Sequence, residues 1–469
     1  MNKRETDPTR REFLVGGGAL AGALVAGCAH APPASPKPPT PRGSETPGRG
    51  PGDDDKPRIR AYRTLGRTGF RVSDIGYGCG RISDPNLVRY AYDRGVNLFD
   101  TAEGYGDGDS ERMIGQAMGH LERRKVFIVT KLHVERADTE QSLVERFGRC
   151  LSRMRTDYVD ALYTHAVAEV AMVKHPGFHA AVKRLKAAGK VRHAGISCHG
   201  PRRKDEHTMD RVLLAAVEDG RFDVMLMVYN FMNSAPGRKV LAACKEKNIG
   251  TTLMKVTPAR LEHRPFNPDD PAEEHTRLLR LMMKKKLSRE EAVEKLKQRI
   301  EGQRREQHEH KEVVDAFVAR HGIKSEEALK KKSVQWALGD PGVCSVCVSM
   351  NDFEALDTFV PLSGTRLSEA DERALERWAA AFGADYCRHG CAECAGRCPA
   401  DVPVSTVMRY AYYFTQGRER HAMERYAALG GAGGARCLEC RDPRCVGACP
   451  HGLSISAQLL SAHQLLTLV

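Results

Sequence analysis

The chain has 469 residues, of which 41% are hydrophobic and 28% are charged. These proportions exclude a wholly disordered chain and a protein that crosses a membrane many times, and the length suits one large domain with a smaller one. Lys and Arg number 73 against 60 Asp and Glu, a net charge of +13. Because this excess is spread along the chain, it indicates a solvated basic surface, and we expect no nucleic-acid partner.

The first 27 residues have the features of an export signal. Arg10 and Arg11 precede an apolar, glycine-rich run that ends at Gly27 and is too short for a stable membrane span. The pattern resembles a twin-arginine (Tat) signal, and the small residues before Cys28 resemble the lipidation box of a lipoprotein. The alternative is a core helix with a chance arginine pair, but residues 28–58 are rich in Pro and Gly and predict a flexible tether. The resemblance implies a Tat-exported lipoprotein on the periplasmic side of the cell envelope, anchored to a membrane through the lipid on Cys28.

From residue 59 the chain alternates short apolar runs with amphipathic helical stretches. The runs lack strict alternation, which is typical of strands covered on both faces. Eight strands are predicted, at Ile75–Cys79, Asn97–Thr101, Val126–Leu132, Tyr158–His165, Val191–Ser197, Val224–Asn230, Gly250–Val256 and Val343–Ser349. Eight strands with crossover helices predict an α/β fold, a (β/α)8 TIM barrel over residues 59–375. A doubly wound open sheet is the alternative, disfavoured because no G-x-G-x-x-G follows the first strand.

A long insertion separates the seventh and eighth predicted strands. Residues from about 262 to 325 include a segment dense in Lys, Glu, Arg and Gln, which predicts one or two exposed helices. Acids interleave the bases, so a solvated helical excursion is favoured over a nucleic-acid patch. The insertion leaves the barrel on the face where loops cover the active sites of such folds.

Four polar residues follow consecutive predicted strands. Asp100 lies near the end of the second strand, Tyr105 in the next loop, Lys131 near the end of the third strand, and His165 at the end of the fourth. Each alone is unremarkable. Because the carboxyl ends of barrel strands meet at one mouth, the four together predict a catalytic site.

The chain from about Arg63 to Leu356 resembles an aldo-keto reductase. The stretches that carry the resemblance are Leu65–Ser73 (LGRTGFRVS), Phe99–Gly106 (FDTAEGYG), Tyr158–Asp160 leading to His165, and Gly189–Ser197 (GKVRHAGIS). The resemblance implies an oxidoreductase that interconverts a small carbonyl compound and an alcohol. It assigns Tyr105 as general acid, with Lys131 lowering the pKa of Tyr105 and Asp100 holding Lys131. His165 would hydrogen-bond the substrate oxygen. An unperturbed phenol, with a pKa of about 10, is a poor proton relay near neutral pH.

The same resemblance implies a nicotinamide cofactor, NAD(P)H. The residues it places beside the cofactor are Ser197, Tyr229, Asn230 and Ser349. The sequence departs from the family pattern here: Cys198 stands where an Asn is usual, Leu226 where a Gln is usual, and acidic residues follow Ser349. We therefore expect NADP to bind weakly and NAD no better than moderately. Tyr229 and Asn230 are equally well explained as structural residues at a strand end.

Two cysteine quartets lie in the last 83 residues. Their members are Cys387, Cys391, Cys394 and Cys398, followed by Pro399, and Cys437, Cys440, Cys445 and Cys449, followed by Pro450. The pattern resembles a two-cluster bacterial ferredoxin, in which the Cys before Pro binds the neighbouring cluster. The resemblance implies two [4Fe–4S] clusters, one held by Cys387, Cys391, Cys394 and Cys449, and the other by Cys437, Cys440, Cys445 and Cys398.

The segments between the quartets are helical in pattern, so residues 376–469 are predicted to form a mainly α-helical ferredoxin-like domain. Two zinc sites are the second interpretation of the quartets, although zinc has no use for the Cys-Pro pairs. Disulfides are the third, and would be strained at such short spacing. The six cysteines inside the barrel are expected to be packed thiols, with Cys344 and Cys347 on opposite faces of a strand.

Two classes of function remain open. The first is a carbonyl–alcohol oxidoreductase coupled to or stabilised by [4Fe–4S] clusters, with a redox partner protein. The second is an electron-transfer or binding lipoprotein built on a non-catalytic barrel. The four residues at the barrel mouth favour the enzyme, and the altered nicotinamide contacts favour the alternative.

Overall fold

A computed structural model describes residues 56–201, 206–257, 323, 325–415 and 418–467, together with five isolated residues between 288 and 298. The predicted export signal, Cys28, nearly all of the tether and most of the insertion lie outside the described residues. Within the described part of the chain, no helix is both long and apolar enough to cross a membrane.

Eight parallel strands close into a barrel, which confirms the predicted fold class. The barrel strands are β3 (Ile75–Gly78), β4 (Leu98–Asp100), β5 (Phe127–Leu132), β6 (Val159–Thr164), β7 (Val191–Cys198), β8 (Val224–Val228), β9 (Gly250–Met254) and β10 (Ser345–Val348). β10 pairs with both β3 and β9 and so closes the ring. Each strand falls within its predicted run to within one residue.

Helices cover the outside of the barrel. Those before the insertion are α1 (Pro85–Asp93), α2 (Asp109–Ala117), α3 (Glu140–Met154), α4 (Val170–Val173), α5 (Pro176–Ala187), α6 (Met209–Asp219) and α7 (Ser234–Glu246). Those after it are α8 (Glu326–Gly339), α9 (Phe353–Phe359) and α10 (Glu369–Phe382). Local chemistry sets their starts: Asp84 caps α1 ahead of Pro85, and Thr139 and Ser142 form a capping box on α3.

The amino-terminal end of the barrel is closed by an antiparallel hairpin, β1 (Tyr62–Thr64) and β2 (Arg71–Ser73). Leu65 and Val72 of this hairpin are fully buried and join the apolar cluster inside the barrel. Because one end is plugged, the carboxyl end of the strands is left for a site.

Cys344 and Cys347 are both half-buried, and both contact the apolar cluster inside the barrel. β10 begins at Ser345, so Cys344 precedes the strand and is outside its alternation. Of the other barrel cysteines, Cys79 and Cys198 are fully buried, in agreement with packed thiols. Cys150 and Cys244 are buried too.

The C-terminal residues form a mainly helical module, as the sequence predicts. Its helices are α11 (Val404–Thr415), α12 (Glu419–Ala427) and α13 (Ile455–Thr467). They pack around a separate apolar core that includes Val407, Ala411 and Leu459, and most of the quartet cysteines lie against this core. α10 spans the predicted domain boundary at residues 375 and 376. The barrel and this module belong to one compact unit.

Candidate active site

An ion pair forms the floor of the barrel mouth. Lys131 of β5 donates from Nζ to Oδ1 of Asp100 at 2.5 Å and to the carbonyl oxygen of Thr101 at 2.7 Å. The side chains of Lys131 and Asp100 are 0% and 6% exposed. β4 and β5 are neighbours in the barrel, so their ends bring these two residues together.

Tyr105 and His165 stand above this pair. Nζ of Lys131 lies 4.8 Å from the centroid of the Tyr105 ring. The ring of His165 meets that of Tyr105 edge-on, with centroids 5.6 Å apart and an interplanar angle of 83°. The structure thus brings together the four residues that the sequence assigned to the mouth.

The pKa of Tyr105 differs from the expectation. Burial raises it above the ordinary value for a phenol, and the positive charge of Lys131 only partly opposes that effect. Burial alone would lower the pKa of Lys131, but Asp100 and Tyr105 hold it above its usual value. Near neutral pH the Tyr105 hydroxyl is therefore protonated beside a charged ammonium group. Lys131 lowers the pKa of Tyr105, as the resemblance implies, but burial has the larger effect and the pKa stays above its ordinary value.

The predicted nicotinamide residues are mostly engaged elsewhere. Oγ of Ser197 accepts a hydrogen bond from the backbone amide of Ala166 at 2.8 Å. The hydroxyl of Tyr229 donates to Asp340 at 2.7 Å, and its ring packs on Trp336 with centroids 4.9 Å apart.

Asn230 caps a short 3-10 helix. Its Oδ1 accepts from the amides of Met232 and Asn233, both at 3.1 Å, and its Nδ2 donates to the carbonyl oxygen of Lys255 at 3.0 Å. Ser349 is exposed beyond β10. Ser197, Tyr229 and Asn230 thus make hydrogen bonds within the protein, and Ser349 lies at the surface.

The C-terminal module covers the same side of the mouth. Nη2 of Arg409 in α11 donates to the carbonyl oxygens of His199, Gly200 and Pro201 at 3.1, 3.3 and 3.0 Å. A Cβ atom on Gly200 would lie 2.2 Å from Cα of Gly390, so only glycine permits this approach. The loop that follows β7 is therefore held under the module.

The loop after β8 is held in the same way. Nε of Arg388 donates to the carbonyl oxygen of Met232 at 3.2 Å, and Nδ2 of Asn230 lies 3.4 Å from the hydroxyl of Tyr386. That hydroxyl in turn shares a hydrogen bond of 3.0 Å with Nδ1 of His389. The predicted nicotinamide side of the mouth is thus an interface between the barrel and the module.

A cleft of about 890 Å³ opens beside this interface. Its barrel wall includes His133 and His165, and its other wall includes Cys394, Cys398 and Tyr410 of the module. Because His165 follows the carboxyl end of β6, the cleft connects the four residues of the barrel mouth with the loop that carries the first cysteine quartet. It is large enough for a small organic substrate.

The sequence pattern did not point to the basic residues that surround the mouth. Lys255 follows β9, and Arg409 and Arg418 of the module lie near it. Burial lowers the pKa of Lys255 most, and the positive charges of these two arginines lower it further. Lys255 is the one charged residue in the predicted run Gly250–Val256, and that isolation was the available signal. Arg409 and Arg418 gave no such signal, since they lie far along the chain.

The quartet cysteines fall into two groups in space. Burial raises the pKa of Cys387, and the nearby thiolates of Cys394, Cys391 and Cys449 raise it further. For Cys437, burial acts first and the neighbours are Cys398, Cys445 and Cys440. This is the grouping that the ferredoxin resemblance implies.

Among the described residues, no three Cys, His, Asp or Glu side chains are close enough to hold a single metal ion. A cubane cluster makes a different demand, because each of its thiolates binds a separate iron at a separate corner. The donor set and its grouping fit such a cluster, while the binding of iron stays a prediction.

The chain belongs to the aldo/keto reductase family, whose description matches residues 81–379. This region holds seven of the barrel strands and all four residues of the mouth, and it ends before the first cysteine quartet. The family is one of oxidoreductases, which agrees with the enzyme class predicted from the sequence.

The chain is also similar to individual proteins. "Probable aldo-keto reductase 1" of Glycine max is 30% identical over 156 residues, which are 29% of this chain and 44% of that protein. The alignment thus spans less than half of the curated relative. An aldo-keto reductase of Bacillus halodurans in its holo form is 17% identical, with a TM-score of 0.47, over 68% of this chain and 96% of that one. An aldo/keto reductase of Klebsiella pneumoniae, solved with NADP and acetate, is 18% identical with a TM-score of 0.45, over 68% and 96%.

Proposed function

We propose that the barrel interconverts a small carbonyl compound and an alcohol, with Tyr105 as the proton donor. The observation that carries the proposal is the buried Lys131–Asp100 pair beneath the Tyr105 ring, with His165 against its edge. A neutral phenol beside a fixed ammonium group is suited to give up a proton when negative charge develops on a nearby oxygen.

In the direction of reduction, the carbonyl carbon receives a hydride and the carbonyl oxygen receives the proton of Tyr105. His165 hydrogen-bonds that oxygen, and Lys131 stabilises the phenolate that remains. Asp100 keeps Lys131 charged and in place. In this family a nicotinamide dinucleotide supplies the hydride. Three of the residues predicted to hold it, Ser197, Tyr229 and Asn230, make internal hydrogen bonds, in keeping with the weak NADP binding that we expect.

Replacement of Tyr105 by Phe tests the mechanism. The ring still packs but the proton is lost, so carbonyl reduction should fall by about 10²–10⁴-fold. Tyr90→Phe is the matched control, because it removes an exposed hydroxyl that donates to Asp357 at 2.7 Å, far from the mouth. Steady-state turnover of a panel of carbonyl compounds is the measurement. Equal turnover in Tyr105→Phe and wild type would refute the mechanism.

We further propose that the module holds two [4Fe–4S] clusters, in the two cysteine groups given above. Such clusters supply one-electron transfer. Anaerobically purified protein should contain about eight iron atoms and eight sulfides per chain. Cys449→Ser should lose or alter one cluster, whereas Cys344→Ser in the barrel should keep both. Colourless protein with stoichiometric zinc would instead favour the zinc interpretation.

The second cysteine group has the exposure that exchange with a redox partner protein requires. Cys440 is exposed, and the flanking Leu438 and Val446 are 69% and 71% exposed. Exposed apolar residues beside a redox centre are typical of a contact surface for another protein. This group is therefore the side at which we expect electrons to enter or leave.

For localisation we propose export by the Tat route and lipid anchoring at Cys28 on the periplasmic side. Replacing Arg10 and Arg11 by Lys should leave unprocessed precursor in the cytoplasm, and Cys28→Ala should abolish labelling by a fatty-acid analogue. Normal processing and labelling in these variants would refute the assignment.

A second candidate function is an electron-transfer or binding lipoprotein on a barrel that has lost catalysis. The cover of the module over the loops after β7 and β8 favours it, since this cover occupies the predicted nicotinamide side. The two candidates differ in nucleotide binding and in turnover. A protein that contains iron but neither binds a nicotinamide nucleotide nor turns over a carbonyl compound would have the second function.

A further inference from the structure

The barrel mouth carries a buried amine, Nζ of Lys255. It has no hydrogen-bond partner among the residues that the structure describes. It faces two aromatic rings of α11, 5.4 Å from the centroid of Tyr412 and 5.0 Å from that of Tyr413. Lys255 also has a φ of 53°, in the left-handed region that a lysine seldom adopts. The backbone thus holds this residue in an unfavourable conformation at the carboxyl end of a barrel strand, where function resides in this fold.

The charged neighbours of this amine are also cations. Arg409 and Arg418 are the charged groups that act on Lys255, after the larger effect of its burial. Cζ of Arg418 lies 5.3 Å from the ring centroid of Tyr413, the same ring that Lys255 faces. Arg409 is 5% exposed; its Nη2 donates to backbone carbonyl oxygens, but its Nε, like Nζ of Lys255, is buried and has no hydrogen-bond partner within the described part of the chain. Lys255 and Arg409 therefore each keep one buried nitrogen donor unused.

The buried carboxylate of Asp100 at the mouth does not balance these charges, because it is paired with Lys131. Buried cations without a counter-charge are costly, and each buried unpaired donor costs about 1–3 kcal/mol. A protein retains such an arrangement when a ligand completes it. The missing partner has the chemistry of an anion, and the aromatic rings of Tyr412 and Tyr413 form apolar walls beside it.

The position of this cluster relates it to the reaction. The pKa of Tyr105 depends first on burial and then on the charges of Lys131 and Asp100, and the positive charge of Arg418 lowers it slightly. Arg418 therefore lies near the proposed proton donor. We propose that Lys255, Arg409 and Arg418 form a binding site for the anionic group, a carboxylate or a phosphate, of the carbonyl substrate. The assignment to the substrate rests on the proposed function. The anion site itself rests on the contacts above.

Calorimetric titration of the anaerobically purified full chain tests the site. The probes are pyruvate, inorganic phosphate, NADP⁺, and methyl pyruvate, in which a neutral ester replaces the carboxylate of pyruvate. Pyruvate and phosphate should bind and compete with each other, and methyl pyruvate should bind at least tenfold more weakly. Lys255→Met should weaken the binding of both anions by about 10- to 100-fold, the effect of losing a charge-assisted hydrogen bond. Lys247→Met, at an exposed lysine after α7, is the matched control.

Thermal unfolding without a ligand gives a second, independent readout. Lys255→Met removes a buried unpaired amine, so the variant should be as stable as the wild type or more stable, while binding anions more weakly. A purely structural lysine would show the reverse, with lower stability and unchanged binding. That result would overturn the proposal.

Two further outcomes would also overturn it. Binding of NADP⁺ that depends on Lys255, with no binding of pyruvate or phosphate, would make the cluster a dinucleotide site. If Lys255→Met shifts the reduction potential of a [4Fe–4S] cluster and leaves anion binding unchanged, Lys255 instead balances the negative charge of that iron–sulfur cluster. Tyr105→Phe separates this test from the reaction, because it should abolish turnover and preserve anion binding. If the wild type binds both anions but reduces no carbonyl compound, the reductase fails and the anion site stands.

Discussion

Lys131 and Asp100 allow a test of the barrel mouth that does not depend on knowing the substrate. Both side chains are almost fully buried, and Nζ of Lys131 also donates to the carbonyl oxygen of Thr101 at 2.7 Å. Lys131→Met keeps the length of the side chain but leaves the Asp100 carboxylate without its counter-charge. Breaking a buried ion pair from one side costs about 3–5 kcal/mol. That is a large part of the roughly 5–15 kcal/mol by which a domain is stable.

The double variant Asp100→Asn with Lys131→Met is the matched control. It removes both charges and keeps the shapes, so its stability should lie within about 2 kcal/mol of the wild type, because exchanging a whole buried pair for neutral groups is often nearly neutral. The two single variants should each be less stable than the double variant. Because each single variant should lose about 3 kcal/mol or more and the double variant no more than about 2 kcal/mol, the coupling energy in this cycle should be at least about 4 kcal/mol in favour of the pair.

Urea-induced unfolding followed by circular dichroism measures these differences through the midpoint and slope of each transition. Protonation of Asp100 at lower pH should rescue part of the loss in Lys131→Met, since a neutral carboxyl needs no counter-charge. Single variants as stable as the wild type, or a double variant whose loss equals the sum of the two singles, would refute a buried, coupled pair.

Two other predictions concern pH and the cover over the mouth. Because the pKa of Tyr105 is raised, its hydroxyl stays protonated to high pH. The rate of carbonyl reduction should therefore not fall between about pH 6 and pH 9 through loss of this proton. Alcohol oxidation needs the phenolate, so its rate should rise by about tenfold per pH unit over this range. Bell-shaped profiles centred near pH 7 in both directions would contradict this. Gly200→Ala should loosen the contact between the loop after β7 and the module and make the protein more sensitive to limited proteolysis, because a Cβ there meets Gly390 at 2.2 Å. Gly220→Ala has a similar φ of 77° but open space around it, so it should suffer only the backbone strain. Equal protease sensitivity of the two variants would refute the close contact.

The barrel and the residues at its mouth could be predicted from the amino-acid sequence alone. Buried parallel strands produce continuous apolar runs, and every barrel strand was located to within one residue of its run. The carboxyl ends of such strands must meet, so Asp100, Lys131 and His165 could be assigned to one mouth before any coordinates. The cysteine quartets were equally legible, because their short spacing is a local property of the chain.

The surroundings of that mouth could not be predicted from the sequence and are known only from the folded structure. The pKa of Tyr105 depends on how much protein buries it, and no sequence pattern reports the balance between burial and the charge of Lys131. Tyr229 could serve a cofactor or the fold, and only the structure shows that its hydroxyl donates to Asp340. Lys255 lies more than 150 residues before Arg409 and Arg418, and these three cations meet because the C-terminal module packs over the strand ends. Contacts between distant segments depend on the shape and docking of two folded surfaces, and local periodicity carries no information about either.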